Sequence, residues 1–154
     1  MERDPLLREH LRKLLDWEDA HAGFDRAIDG ISPARRGEVP QGQAHSLWQL
    51  LEHLRRCQLD ILEFCRNPDY EEPPMEEYWP PAAAPPGDDA WRGSVAAFRR
   101  DREELKKLAA DASVDLFATI PHGSGQTCEL ILVADHNAYH VGQIVAARRA
   151  LGDW

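Results

Sequence analysis

The sequence predicts an all-α fold, a four-helix bundle, from three observations. Apolar residues recur at spacings of three and four in four separate segments, as on the buried face of an amphipathic helix. Helix start and stop signals flank these segments. A proline-rich stretch lies between the second and third of them, from residue 67 to residue 88. The chain has 154 residues, the length of one ordinary domain, so we expect 1–154 to form a single domain.

Helix one is predicted to begin with Asp4 as N-cap and Pro5 in the first turn, where the missing N–H of proline costs no hydrogen bond. Its apolar stripe contains Leu7, Leu11, Leu14, Phe24 and Ile28. We expect this helix to continue to Gly30. His21 completes the seven-residue series between Leu14 and Ile28, which predicts that His21 faces the interior.

Helix two is predicted to open at a capping box, in which Ser46 caps the helix and Gln49 bonds back to the cap. Its apolar stripe contains Leu47, Leu50, Leu51, Leu54, Cys57, Ile61 and Cys65. The helix should end before Asn67, because Pro68 follows. His53 lies on the flank of the stripe, from where it can turn toward a cavity between helices.

The segment from 67 to 88 contains seven prolines and is not compatible with a helix. About twenty residues are more than a tight helix–helix turn needs, but they suffice to travel the length of a helix. Helices two and three are therefore predicted to run parallel, joined by this long crossover.

Helix three should begin near Asp88, whose charge suits a helix N-terminus. A connector from 115 to 125 reads as irregular or briefly β-like. Helix four is predicted from about Thr127 to Leu151, with Gly152 ending it.

Composition excludes several classes of protein. The formal charge is −9, from 27 acidic and 18 basic residues, which argues against a nucleic-acid-binding surface. We expect neither a secretory leader nor a membrane span, because the apolar runs are too short. Three cysteines without C-x-x-C spacing favour neither a disulfide framework nor a thiolate zinc site. We expect small buried thiols in a cytoplasmic protein.

Two histidines in helix four stand out. His136 and His140 are four residues apart, so their side chains leave the helix within about 40° of each other. The same stripe carries Leu132, Val133, Ile144, Ala147 and Leu151, which predicts that the pair points inward. Such a pair serves either as hydrogen-bonded core histidines or as two ligands of a divalent metal ion. In a bundle, His53 of helix two can reach the same level and complete a three-histidine site with at least one open position.

Segments 46–54 and 136–144, with their order and separation, are similar to the histidine segments of the DinB/YfiT-like superfamily of small four-helix bundles. The resemblance covers nearly the whole chain. It implies an up-down-down-up topology, and it implies His53, His136 and His140 as ligands of a divalent ion, commonly zinc or nickel. It also suggests a homodimer, for which the aromatic side chains of 70–91 offer interface material: Tyr70, Tyr78, Trp79 and Trp91.

Members of the superfamily include thiol-dependent enzymes, such as mycothiol-dependent maleylpyruvate isomerase and bacillithiol S-transferases. The resemblance therefore implies a metal-dependent transferase or hydrolase acting on a small molecule, with a low-molecular-weight thiol as the candidate cosubstrate. The competing hypothesis is a non-catalytic, stress-related bundle, in which the histidines hold a structural metal or simply fill the core.

Five further residues are candidates for the surroundings of the site. Asp60 and Gln143 lie on nearly the right stripes to accept a hydrogen bond from the second N–H of a ligand imidazole, although each could equally be an ordinary solvated polar residue. His21 could act as a pocket residue or a fourth ligand, although a hydrogen-bonded core histidine is the simpler interpretation. Trp48 and Tyr139 could form walls of the pocket, although aromatic residues at helical spacing more often belong to the core.

Overall fold

The computed structural model describes residues 3–154, and the predicted all-α fold is confirmed. Its α-helices are α1 (Arg3–Leu14), α2 (Phe24–Ile28), α3 (Leu47–Arg66), α4 (Asp88–Ala110) and α5 (Gln126–Leu151). Two short 3₁₀ turns, Pro33–Arg35 and Met75–Tyr78, lie in the connections. A single β-bridge pairs Thr119 with Gly125, in the connector predicted to be briefly β-like.

The predicted helix one is wrong in its second half, because the chain leaves the helix after Leu14 and resumes only at Phe24. Acidic residues near either end of the break bind Arg102 of α4. It binds Asp16, 3.0 Å from its Nε, and Asp25, 2.8 Å from a terminal nitrogen. On a straight helix, residues nine apart lie on opposite faces, about 13.5 Å along the axis. Only a bent chain brings both carboxylates to one guanidinium.

Helix α3 begins and ends as predicted. Gln49 N donates to Ser46 Oγ at 3.2 Å and Ser46 N donates to Gln49 Oε1 at 3.1 Å, which completes the capping box. The Ser46 hydroxyl also donates to the carbonyl of Ala83, so the cap ties the crossover to the helix. Helices α4 and α5 likewise begin within a residue of the predicted positions, and Gly152 ends α5 with φ of 69°.

Hydrogen bonds give the relative directions of the three longest helices. Between α3 and α4, higher residue numbers in one helix bond to higher residue numbers in the other. Ser94 donates to Glu52, and Gln58 donates to the carbonyl of Phe98. These two helices therefore run in the same direction. Along α3 and α5 the contacts run in opposite orders, since Gln58 bonds Asn137 while His53 contacts His140. The antiparallel pair α3 and α5 thus brings the histidines to one level.

The aromatic side chains of the crossover are engaged within the chain. Trp91 is buried in the core, and the hydroxyls of Tyr70 and Tyr78 donate to Asp60 at 2.7 and 2.9 Å. Trp79 stacks on His53. Of these residues only Trp91 is buried, whereas Tyr70, Tyr78 and Trp79 are partly exposed. The homodimer stays a prediction.

The cysteines only partly follow expectation. Cys57 and Cys65 are buried as predicted, but Cys128 is exposed in the first turn of α5. Burial raises the pKa of both buried thiols to about 12, and neighbouring carboxylates contribute to the rise. Among residues 3–154, every helix is too short or too polar to cross a lipid bilayer.

Candidate metal centre

The three histidines singled out from the sequence meet in the groove between α3 and α5. His53 Nε2 lies 3.1 Å from His140 Nε2 and 3.3 Å from His136 Nε2. The ring centroids of the three imidazoles are separated by 4.4 to 5.1 Å. His53 and His140 are 8% and 7% exposed, and His136 is half-buried. Side chains 87 and 83 residues apart in sequence are thus brought into contact.

The crossover and α5 fix the protons on two of these rings. The Nδ1 of His53 lies 3.0 Å from the main-chain carbonyl of Tyr78, which can only accept a hydrogen bond. His53 therefore carries its proton on Nδ1, and its Nε2 presents a lone pair. The Nδ1 of His140 donates to Gln143 Oε1 at 2.7 Å, which leaves a second lone pair on the Nε2 of His140.

The three facing imidazole nitrogens have too few N–H hydrogens to pair with one another by hydrogen bonds alone. His53 Nε2 has one lone pair and can accept one hydrogen bond, yet two imidazole nitrogens lie within 3.3 Å of it. A core of hydrogen-bonded histidines would give each nitrogen its own partner. Facing lone pairs repel one another unless a cation lies between them, so the donor set favours a bound cation over a plain polar core.

Burial keeps the rings neutral. Desolvation lowers the pKa of His53 to about 4, although its bond to the Tyr78 carbonyl opposes the shift. Desolvation likewise lowers the pKa of His136 to about 4 and that of His140 below its usual value. Neutral imidazoles at pH 7 are the form that binds a metal ion.

Cys57 adds a sulfur to the cluster, one helical turn after His53. Cys57, His53 and His136 offer donor atoms that all lie within 4.8 Å of one another. The Sγ of Cys57 is 3.5 Å from Nδ1 and 3.7 Å from Nε2 of His53. A sulfur nearly equidistant from both nitrogens sits over the ring, whereas the lone pair of Nε2 points outward in the ring plane. Cys57 therefore packs against the imidazole of His53 in this geometry.

Trp79 covers the site from the crossover. The centroid of its ring lies 3.8 Å from that of His53, with 7° between the ring planes. It lies equally close, at 3.8 Å, to that of His45, with 17° between the planes. His45 directly precedes the Ser46 cap. The backbone carbonyl of Tyr78 had no signal in the sequence at all, because any residue type offers the same group.

The predicted surroundings are partly present. Gln143 binds His140, and Tyr139 packs edge-on against His140 at 4.9 Å while its hydroxyl accepts from Gln143 at 3.2 Å. Asp60 accepts from the Tyr70 and Tyr78 hydroxyls rather than from an imidazole. Trp48 is buried in the core, 6.4 Å from Trp91.

The expectation that His21 faces the interior is wrong. His21 is exposed in the break between α1 and α2, and its Nδ1 lies 3.0 Å from the carbonyl of Ala22. It lines a separate cavity of about 380 Å³, together with Trp17, Phe24 and Asp135. The break removes His21 from the helical register that had placed it inside.

Comparison with protein families identifies the family of this chain. The family model described as the DinB superfamily matches residues 16–144, most of the chain, a range that includes the three histidines. The chain belongs to the DinB superfamily. Comparisons with curated proteins and with solved structures gave no match. The resemblance drawn from segments 46–54 and 136–144 is thereby confirmed at the level of the family.

Proposed function

We propose that this DinB-superfamily protein binds a divalent metal ion, zinc or nickel, through His53, His136 and His140. The observation that carries the proposal is the single lone pair of His53 Nε2, which faces two other imidazole nitrogens at 3.1 and 3.3 Å. One cation shared by the three rings satisfies all of these nitrogens, which hydrogen bonds among neutral imidazoles cannot do.

The spacing of the nitrogens fits a common ion. Two nitrogen ligands of one zinc ion are about 2.9 Å apart at a right angle and about 3.4 Å apart at the tetrahedral angle, given bonds of about 2.0–2.1 Å. The two measured separations, 3.1 and 3.3 Å, fall inside this range. The Nδ1 partners of His53 and His140 supply the outer hydrogen bonds that orient metal-binding imidazoles.

We further propose that the site acts on a small molecule, as a transferase using a low-molecular-weight thiol or as a hydrolase. A divalent ion with three protein ligands supplies Lewis acidity at a remaining open position. A cavity of about 290 Å³ is lined in part by Gln43, His45 and Gln143, although by none of the three proposed ligands. Gln143 touches both this cavity and His140, so it connects a substrate-sized space to the metal ligands.

Metal content tests the binding proposal. Protein purified without chelators should contain about one equivalent of zinc or nickel by elemental analysis, and His53→Ala and His140→Ala should lose it. His10→Ala is the matched control, because His10 is exposed on α1, away from the site. Equal metal in His53→Ala and wild type would contradict the proposal. Thiol-transfer assays on metal-loaded and metal-free protein then test the activity.

A non-catalytic, structural metal is the alternative, favoured by the burial of His53 and His140 and by the Trp79 ring that covers His53. The two functions differ in whether the metal ion keeps a coordination position at which a bound small molecule can exchange. X-ray absorption of the zinc protein with and without a small thiol separates them: a sulfur ligand gained from the added thiol supports the thiol transferase, and an unchanged spectrum with every zinc ligand supplied by the protein supports the structural ion.

A further inference from the structure

Two buried amides connect α3, α4 and α5 behind the histidines. Gln58 is fully buried and Asn137 is 7% exposed. Gln58 Nε2 donates to the main-chain carbonyl of Phe98 at 2.7 Å, and Asn137 Nδ2 donates to Gln58 Oε1 at 2.9 Å. Asn137 directly follows the ligand His136 in sequence.

The main-chain carbonyl of Phe98 sets the orientation of both side-chain amides. The Phe98 carbonyl can only accept, so the amino group of Gln58 must face it. The oxygen of Gln58 then faces Asn137, which must present its own amino group. Asn137 Oδ1 is thereby left as an acceptor, and this buried oxygen has no hydrogen-bond partner.

A buried donor is missing its partner beside this acceptor. The Nδ1 of His136 is also buried and unpartnered, whereas the corresponding atoms of His53 and His140 are bonded to Tyr78 and Gln143. The two unpartnered atoms, Asn137 Oδ1 and His136 Nδ1, belong to adjacent residues of α5, and the amide oxygen can only accept a hydrogen bond. A proton on His136 Nδ1 would let one hydrogen bond satisfy both atoms.

We infer that Asn137, held by Gln58, is a positioning residue that accepts the Nδ1–H of His136 and so presents the Nε2 lone pair of His136 to the metal. The inference rests on the proposed metal site. It gives each of the three ligands its own acceptor: a main-chain carbonyl for His53, Gln143 for His140 and Asn137 for His136.

Tautomers in the metal-free protein test the inference without any metal or activity. Long-range ¹H–¹⁵N spectra at pH 7 should show wild-type His136 protonated on Nδ1. In Asn137→Leu the Nε2–H form should appear, because the acceptor for Nδ1 is gone. A wild-type His136 protonated mainly on Nε2 would overturn the inference, whether or not the variant folds.

Zinc affinity provides the second measurement. Asn137→Leu should bind zinc about 10–100-fold more weakly, the usual effect of removing an outer hydrogen-bond partner of a ligand. Val133→Ala, a buried truncation one turn earlier on α5, is the matched control: it loses core packing but should keep the tautomer and the affinity. Wild-type affinity in Asn137→Leu would refute the positioning role. Failure of the wild type to bind zinc would instead refute the proposed function, and the tautomer result would stand independently.

Discussion

The metal should stay bound in mildly acidic solution, where an ordinary three-histidine site would lose it. Protons compete with metal for imidazole nitrogen, so the pKa of each ring in the metal-free protein sets the pH at which binding weakens. Burial lowers the pKa of His53 and His136 to about 4 and also lowers that of His140. The perturbation is therefore acidification from pH 7 to pH 5.

The expected magnitude follows from these pKa values. At pH 5 an imidazole with a pKa of about 6.5 is about 97% protonated, which weakens binding about 30-fold per ligand and about 30,000-fold for three. A ring with a pKa of about 4 is only about 10% protonated, a loss of about 1.1-fold. Even if His140 titrated as an ordinary histidine, the total loss would be about 40-fold.

Zinc titrations by calorimetry at pH 7 and pH 5, in buffers that bind zinc weakly, measure this difference. The His10→Ala protein serves as control, because an exposed histidine should not change either constant. A loss of 1,000-fold or more at pH 5 would refute the argument, since it would require at least two rings that titrate as if they were in water.

Three further predictions concern stability. The histidine contribution to the stability of the metal-free protein should fall as the pH falls from about 6.5 to about 4, since the unfolded chain binds protons to its histidines first, and should not change further below about pH 4. The slope between these pH values, followed by urea unfolding, should reach about 1.4 kcal/mol per pH unit for each buried ring, and a flat profile there would contradict the lowered pKa values. Glu52→Gln should lower the free energy of unfolding by about 3 kcal/mol at pH 7, because burial alone would raise the pKa of Glu52 but hydrogen bonds from Arg55, Ser94 and Arg56 lower it to about 2. The stabilisation is therefore present above pH 4.5 and is lost as the pH falls through about 2. An unchanged urea midpoint at pH 7 would be inconsistent with this network. Gly37→Ala should destabilise the protein, because the added Cβ would lie 2.5 Å from the Cβ of Ala84 in the crossover. Gly93→Ala in α4 should raise the free energy of unfolding by about 1 kcal/mol, because no atom lies within 4 Å of the added Cβ and alanine favours the helix. The thermal unfolding temperatures of the two variants should therefore shift in opposite directions.

Local signals in the sequence were sufficient to predict the helices that hold the three histidines. The capping box at Ser46 and the glycine at 152 depend on neighbours within a few residues, and both ends lie where they were predicted. The spacing of His136 and His140 fixes their shared face by helix geometry alone. Their meeting with His53 required only that α3 and α5 pack side by side.

Periodicity failed between Leu14 and Phe24, where the chain leaves the helix and contacts a distant residue. The spacing of Leu14, His21 and Ile28 is compatible with a continuous helix, but Asp16 and Asp25 both bind Arg102, a residue more than 70 positions away. An ion pair of this kind leaves no local pattern. The exposure of Leu132, despite its place in the apolar stripe of α5, is likewise invisible to periodicity.

The crossover explains both why the site was only half predictable and why the histidine cluster does not depend on the error in helix one. Helix α3 anchors the crossover with side chains along its length: Ser46 bonds Ala83, Arg56 bonds the carbonyl of Glu77, and Asp60 accepts from Tyr78. A main-chain carbonyl of the anchored crossover then accepts a hydrogen bond from His53. Helix α3 thus determines the position of His53 directly and its tautomer through the crossover, while α5 supplies the other two histidines. Since α1 and α2 contribute no histidine to the cluster, the break between them leaves the three imidazoles in place.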